Sequence, residues 1–197
     1  MVVGPADNPL MAPCDGLIGI RRARDDDARG LAEVHIETWR AAYRGMIPAD
    51  YLASLDVAAR EETWRERFRV LSADRRPWVA TDKDEIVGFV VAGPEHLDDD
   101  TVNTDMGEVY AINVSPGCWS RGVGRNLLAR AERDLHEHGY PAAILWCLAD
   151  NVRARAFYER HNWQVDGTIK TRDFGGTDVV EVRYRKALDK APLGSLG

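Results

Sequence analysis

The stretch Trp119-Ser120-Arg121-Gly122-Val123-Gly124 sets two close glycines among arginines, with Arg125 following directly. It comes after an apolar, β-branched run that stops at Pro116, and it opens a helical pattern. A helix begins with about four N–H groups that lack an intrahelical partner, and its dipole favours an anion there. Glycines let a phosphate reach that backbone. The spacing predicts a pyrophosphate cradle on the N–H groups of Gly122, Val123, Gly124, Arg125 and Asn126, with guanidinium charge from Arg121 and Arg125 at its edge. Two common phosphate motifs do not fit. A dinucleotide fingerprint wants a third glycine at position 127, where the chain has Leu127, and a Walker A loop wants Gly-Lys-Ser/Thr. Taken alone, Gly-Val-Gly also fits a plain strand-to-helix turn.

A cradle needs a strand before it and a helix after it, and the flanking patterns supply both. "GEVYAINVS" (107–115) reads as a strand and "RGVGRNLLARAERDLHEHG" (121–139) as a helix closed by Gly139. Upstream, "LIGIRRA" (17–23) is a strand candidate. Residues 25–43 form a helix with acidic residues at its start, and short and longer helices follow at 49–56 and 57–71. The period then changes to that of strands in "PWVATD" and "EIVGFVVAG", joined by the turn "DKDE". Residues 94–106 read as a polar, acidic loop. Downstream come a strand, "AAILWCL", a helix in "NVRARAFYERHNW", and two strands around "GGT". This order predicts an α/β (α+β) fold: a mixed central sheet of about six to seven strands with helices on both faces.

The chain has 197 residues, 45% hydrophobic and 29% charged, which suits one globular domain at 17–188 with loose tails at 1–16 and 189–197. Net charge is −6 and no basic stripe appears, which argues against nucleic acid as a partner. No apolar run approaches the roughly 20 residues of a membrane span, and the N-terminus lacks a signal-peptide pattern. The three cysteines are odd in number and lack metal spacing, so a reducing, cytoplasmic setting is expected. Cys147 reads as a buried apolar residue and Cys118 as a loop bystander. The five histidines form no ligand set, and no metal is expected.

Two segments together carry a resemblance. "GEVYAINVSPGCWSRGVGRNLLARAE" (107–132) resembles the core motif of the GCN5-related N-acetyltransferases (GNAT), where a strand ends in a bulge before a loop of the form Gln/Arg-x-x-Gly-x-Gly/Ala. Residues 119–124 fill that pattern except for Trp119 in the Gln/Arg place. "LADNVRARAFYERHNW" (148–163) is similar to the family's Asn-x-x-Ala-x-x-Phe-Tyr stretch through Asn151, Ala154, Phe157 and Tyr158.

The resemblance implies an acetyl-CoA-dependent N-acetyltransferase. Its cosubstrate, acetyl-CoA, would hydrogen-bond along the backbones of Ile112 and Val114, with Asn151 against the pantetheine arm. Tyr158 would protonate the leaving thiolate, and Glu108 would be the base that accepts the amine proton. Strand alternation puts Glu108 on one face with Tyr110, Ile112 and Val114. Substrate contacts are expected from Glu37, Trp39 and Tyr43 on the first helix, with Trp39 and Tyr43 also fitting core packing and His35 fitting a helix surface. The acidic residues Glu95, Asp98, Asp99, Asp100 and Asp105 would attract a cationic amine or simply solvate a loop. The expected partners are acetyl-CoA and an amine acceptor, with a homodimer through the last strands. A non-catalytic acyl-CoA sensor on the same fold is the alternative.

Overall fold

The computed structural model of the chain describes residue 14 and residues 16–96 and 102–188. Its strands are β1 (Gly19–Arg22), β2 (Trp78–Asp82), β3 (Glu85–His96), β4 (Val102–Val114), β5 (Ala142–Leu148), β6 (Gln164–Asp173) and β7 (Asp178–Ala187). Its helices are α1 (Ala28–Ala42), α2 (Ala49–Ser54), α3 (Val57–Val70), α4 (Val123–Glu137) and α5 (Val152–Arg160). The strands form one sheet in the order β1-β2-β3-β4-β5-β7-β6. All neighbours are antiparallel except β4 and β5, so the sheet is mixed, as expected.

Each element follows from local chemistry. In α4 the buried positions Val123, Leu127, Leu128, Ala131 and Leu135 make one stripe, and that stripe packs on Val90, Val109 and Leu145. On the opposite face, Leu31 and Val34 of α1 and Trp64 and Phe68 of α3 pack around Val79 and Phe89. The sheet therefore has helices on both faces. β5 is apolar throughout because it is central and covered on both sides. Lys83 and Asp84, with φ of 48° and 72°, form the two-residue turn between β2 and β3. Two left-handed residues there match the twist of the hairpin. Gly175 and Gly176, at φ of 66° and 86°, do the same work between β6 and β7.

Four expectations are corrected. The acidic stretch 94–106 is largely strand, since β3 runs on to His96 and β4 begins at Val102. Glu95 is buried there and pairs with Arg183 of β7 at 3.5 Å, so it is not a solvated loop residue. Asp98, Asp99 and Asp100 lie outside the described residues. The expected N-terminal tail is anchored at its end: Cys14 is disulfide-bonded to Cys118 across a separation of 104 residues, and the Gly16 N–H donates to Asp82 at 3.3 Å. Cys118 is thus no bystander, while Cys147 remains a free, buried cysteine as expected. The first predicted helix is also split, with 25–27 forming a single 3-10 turn before α1. Asp27 secures the start of that turn, its carboxylate accepting from the Arg24 N–H (2.7 Å) and from both arms of the Arg21 guanidinium (2.6 and 2.9 Å).

Candidate active site

β4 and β5 pair only at Gly107–Ala143 and Glu108–Ile144. Beyond that point the two strands part. A cleft of about 580 Å³ opens between them, walled by Ile112–Val114, by Trp146 and Cys147, and by the first turns of α4 and α5. The Ser115 N–H donates to the Val87 carbonyl at 2.9 Å, so position 115 faces β3. Antiparallel alternation then turns the peptide groups of Ile112 and Val114 toward the gap. Those of Ile112 have no partner strand in β5, whose pairing with β4 ends at Glu108–Ile144. The Val114 carbonyl is taken twice, by the Thr38 hydroxyl (3.1 Å) and by the Trp119 indole N–H (2.6 Å), so only its N–H remains for a ligand.

The glycine loop meets the cleft at the start of α4. Gly122 has φ +83°, a left-handed conformation that turns the chain into the helix. The Asn126 N–H is bonded to the Gly122 carbonyl at 3.0 Å. Asn126 therefore drops out of the predicted cradle, and its side chain lies away from the cleft beside Trp78 and Arg130. The N–H groups of Val123, Gly124 and Arg125 are the ones left without an acceptor among the described residues. The Val123 side chain is buried in the core, so it can offer only its backbone. Gly124 presents bare backbone, with the Phe157 ring 3.5 Å from where a Cβ would sit. Arg121 donates to the Cys14 carbonyl at 2.7 Å, which ties the N-terminal segment to the loop.

At the deep end of the cleft stands Tyr158. Its ring packs against Phe157 and Tyr184, and its hydroxyl has no hydrogen-bond partner among the described residues. Burial, with Cys147, Tyr43 and Tyr184 nearby, holds its pKa well above the ordinary value. Burial likewise pushes Tyr43 up to about 12 and the Cys147 thiol up to about 12, so all three are protonated at neutral pH. Asn151 lines the cleft and caps α5, its side-chain oxygen accepting from the Ala154 N–H at 3.0 Å.

Glu108 sits where β4 and β5 last touch. The register of β4 against β3 slips between Val91–Ala111 and Ala92–Val109, leaving Tyr110 as an extra residue. Val109, Ile112 and Val114 consequently share one face and Ala111 the other. The expected common face of Glu108 with Ile112 and Val114 is thereby overturned. Gly93 opposite the bulge leaves room for Tyr110: a Cβ there would lie 2.7 Å from the Tyr110 hydroxyl, which crosses it to donate to the Pro94 carbonyl. The Glu108 carboxylate accepts from the His96 N–H at 3.1 Å. Burial raises its pKa, and that hydrogen bond only partly opposes the rise.

Of the predicted site residues, the cleft brings together Tyr43, Ile112, Val114, Arg121, Gly122, Gly124, Arg125, Asn151 and Tyr158. Glu37, Trp39 and Glu108 do not line it. Trp39 stacks on His35 (4.9 Å) and meets Tyr43 edge-on (5.1 Å), which is core packing. His35 is buried rather than on a helix surface. Glu37 is half-buried, with its pKa raised by burial and lowered in part by a bond from Ser115. Sequence reading missed Thr38 and Arg153, both on the cleft wall. Thr38 was detectable as a polar residue one turn after Val34 on the buried stripe of α1.

The sequence profile of the acetyltransferase (GNAT) family matches residues 23–163. Uncharacterized N-acetyltransferase YuaI of Bacillus subtilis (strain 168) is 32% identical over 147 residues, covering 74% of this chain and 80% of its own. Probable N-acetyltransferase Rv2775 of Mycobacterium tuberculosis is 31% identical over 172 residues, covering 85% and 92%. The solved structure of PaiA N-acetyltransferase from Thermoplasma acidophilum in complex with coenzyme A has the same fold, with a TM-score of 0.67 at 20% identity over 87% of this chain and 99% of that one. The chain belongs to the acetyltransferase (GNAT) family.

Proposed function

We propose that the protein moves the acetyl group of acetyl-CoA directly onto a primary amine while both substrates are bound. The observation that carries this reading is the early end of β4–β5 pairing beside the three unpartnered N–H groups of α4. An extended arm with amide groups fits the gap, and a diphosphate fits the helix start. The Ile112 backbone supplies hydrogen-bonding groups along the arm, and a nearby N–H would polarise the thioester carbonyl.

The amine nitrogen forms a bond to the thioester carbon, and the carbon–sulfur bond breaks. Tyr158 gives its proton to the departing sulfur. The amine proton goes to Glu108 through water, since the carboxylate lies outside the cleft wall. A tyrosine held protonated by burial suits the first role, and a carboxylate with a raised pKa suits the second.

Calorimetric titration with acetyl-CoA, with NAD as control, tests the cradle. Micromolar binding that Gly124→Leu abolishes in a folded sample is expected, followed by release of free thiol with an amine panel. A folded wild-type protein that ignores acetyl-CoA rules out the reading.

A further inference from the structure

Four arginines line the cleft, Arg121, Arg125, Arg153 and Arg160, and none of the described lining residues is Asp or Glu. In a chain of net charge −6 this is a local reversal of sign. Arg153 differs from the other three in how it is held. Its guanidinium carbon lies over the Trp119 ring, 3.3 Å from the ring centroid. The ring is itself fixed, because its indole N–H is spent on the Val114 carbonyl. Arg153 makes no ion pair among the described residues, and burial lowers its pKa, as expected for a cation waiting without an anion. Stacking occupies the face of a guanidinium and leaves its N–H edge free, which is the edge that grips a phosphate in a fork.

We infer that Arg153 is a phosphate contact for coenzyme A, supplying from α5 the polar side chain that Trp119 removes from the loop. Trp119 then serves as the platform that aims it. The inference rests on the proposed function and adds a specificity residue to it. The phosphate is either one of the diphosphate pair or the ribose 3′-phosphate, and both are the same chemistry to a guanidinium.

The test compares kcat/KM for acetyl-CoA, acetyl-dephospho-CoA and S-acetylpantetheine, which lacks every phosphate. In Arg153→Ala the preference for acetyl-CoA over S-acetylpantetheine should fall about tenfold or more, the usual weight of a charge-assisted hydrogen bond. Arg153→Lys should recover part of it, keeping charge without the flat fork. A loss confined to acetyl-CoA assigns the 3′-phosphate, and an equal loss with the dephospho form assigns the diphosphate. An unchanged preference, or an equal fall on all three substrates, overturns the inference. Wild-type protein with no turnover or binding of acetyl-CoA overturns the function itself instead.

Discussion

Glu108 faces Ile144 across the last paired position of β4 and β5, so the carboxylate stands at the vertex from which the cleft opens. That position explains both its burial and its distance from the cleft wall. The two strands are still close there, and the gap widens only toward Ile112. As a base Glu108 must be ionised, and its pKa is raised, so activity should climb with pH through a limb above the ordinary carboxylate value of 4.5. Glu108→Gln should lower kcat/KM by roughly 10² and erase that limb. A pH–rate profile of the variant that keeps the wild-type acid limb would assign the limb to another group.

Tyr158 gives the second prediction. It lines the cleft with no hydrogen-bond partner for its hydroxyl among the described residues, and its ring packs against Phe157 and Tyr184. Tyr158→Phe keeps that packing and removes only the proton donor. Turnover should fall by about 10² to 10⁴ while acetyl-CoA affinity stays near wild type. If turnover with a good acceptor were unchanged, the thiolate would be leaving without help from this residue.

Much of this is legible in the amino-acid sequence. α4 shows its period because it buries one stripe, and β5 shows as an unbroken apolar run, "AAILWCL", because it is buried on both faces. The glycine loop is legible because its spacing puts it at a helix start, and Tyr158 because it fills the tyrosine place of the family's Asn-x-x-Ala-x-x-Phe-Tyr stretch. What escaped depends on contacts between distant segments. Glu95 looks like loop because its partner, Arg183, comes from β7. The bulge at Tyr110 leaves no mark in apolar alternation, yet it moves Glu108 to the other face. The Arg153–Trp119 stack joins two motifs that sequence reading treats one at a time.

The Cys14–Cys118 bond ties the N-terminal segment to the turn just before the cradle. Closing a loop of this length restricts the unfolded chain by about 4–5 kcal/mol in the chain-entropy account. Cys14→Ser, or reduction of the wild type, should therefore lower Tm by roughly 8–20 °C for a domain of this size. Melts with and without reductant, alongside a free-thiol count, check it. Equal Tm values with three free thiols would mean that the bond does not form in solution.

His35 gives a prediction about stability. It is buried, stacked on Trp39 at 4.9 Å and near Phe89 at 6.4 Å, and its Nε2 has no hydrogen-bond partner among the described residues. Burial first, then Arg60 and Arg67, depress its pKa from 6.5 to about 3. The folded pKa lies below the unfolded one, so protons bind the unfolded chain better. Stability from this residue is complete above pH 6.5 and drains away as the pH falls toward 3. Between neutral pH and about pH 5 the loss is roughly 2 kcal/mol. His35→Phe keeps an aromatic ring in the stack and removes the titration. Urea melts at about pH 7.5 and about pH 5 should show a smaller drop in the variant than in the wild type. An equal drop in both would place the acid sensitivity elsewhere in the fold.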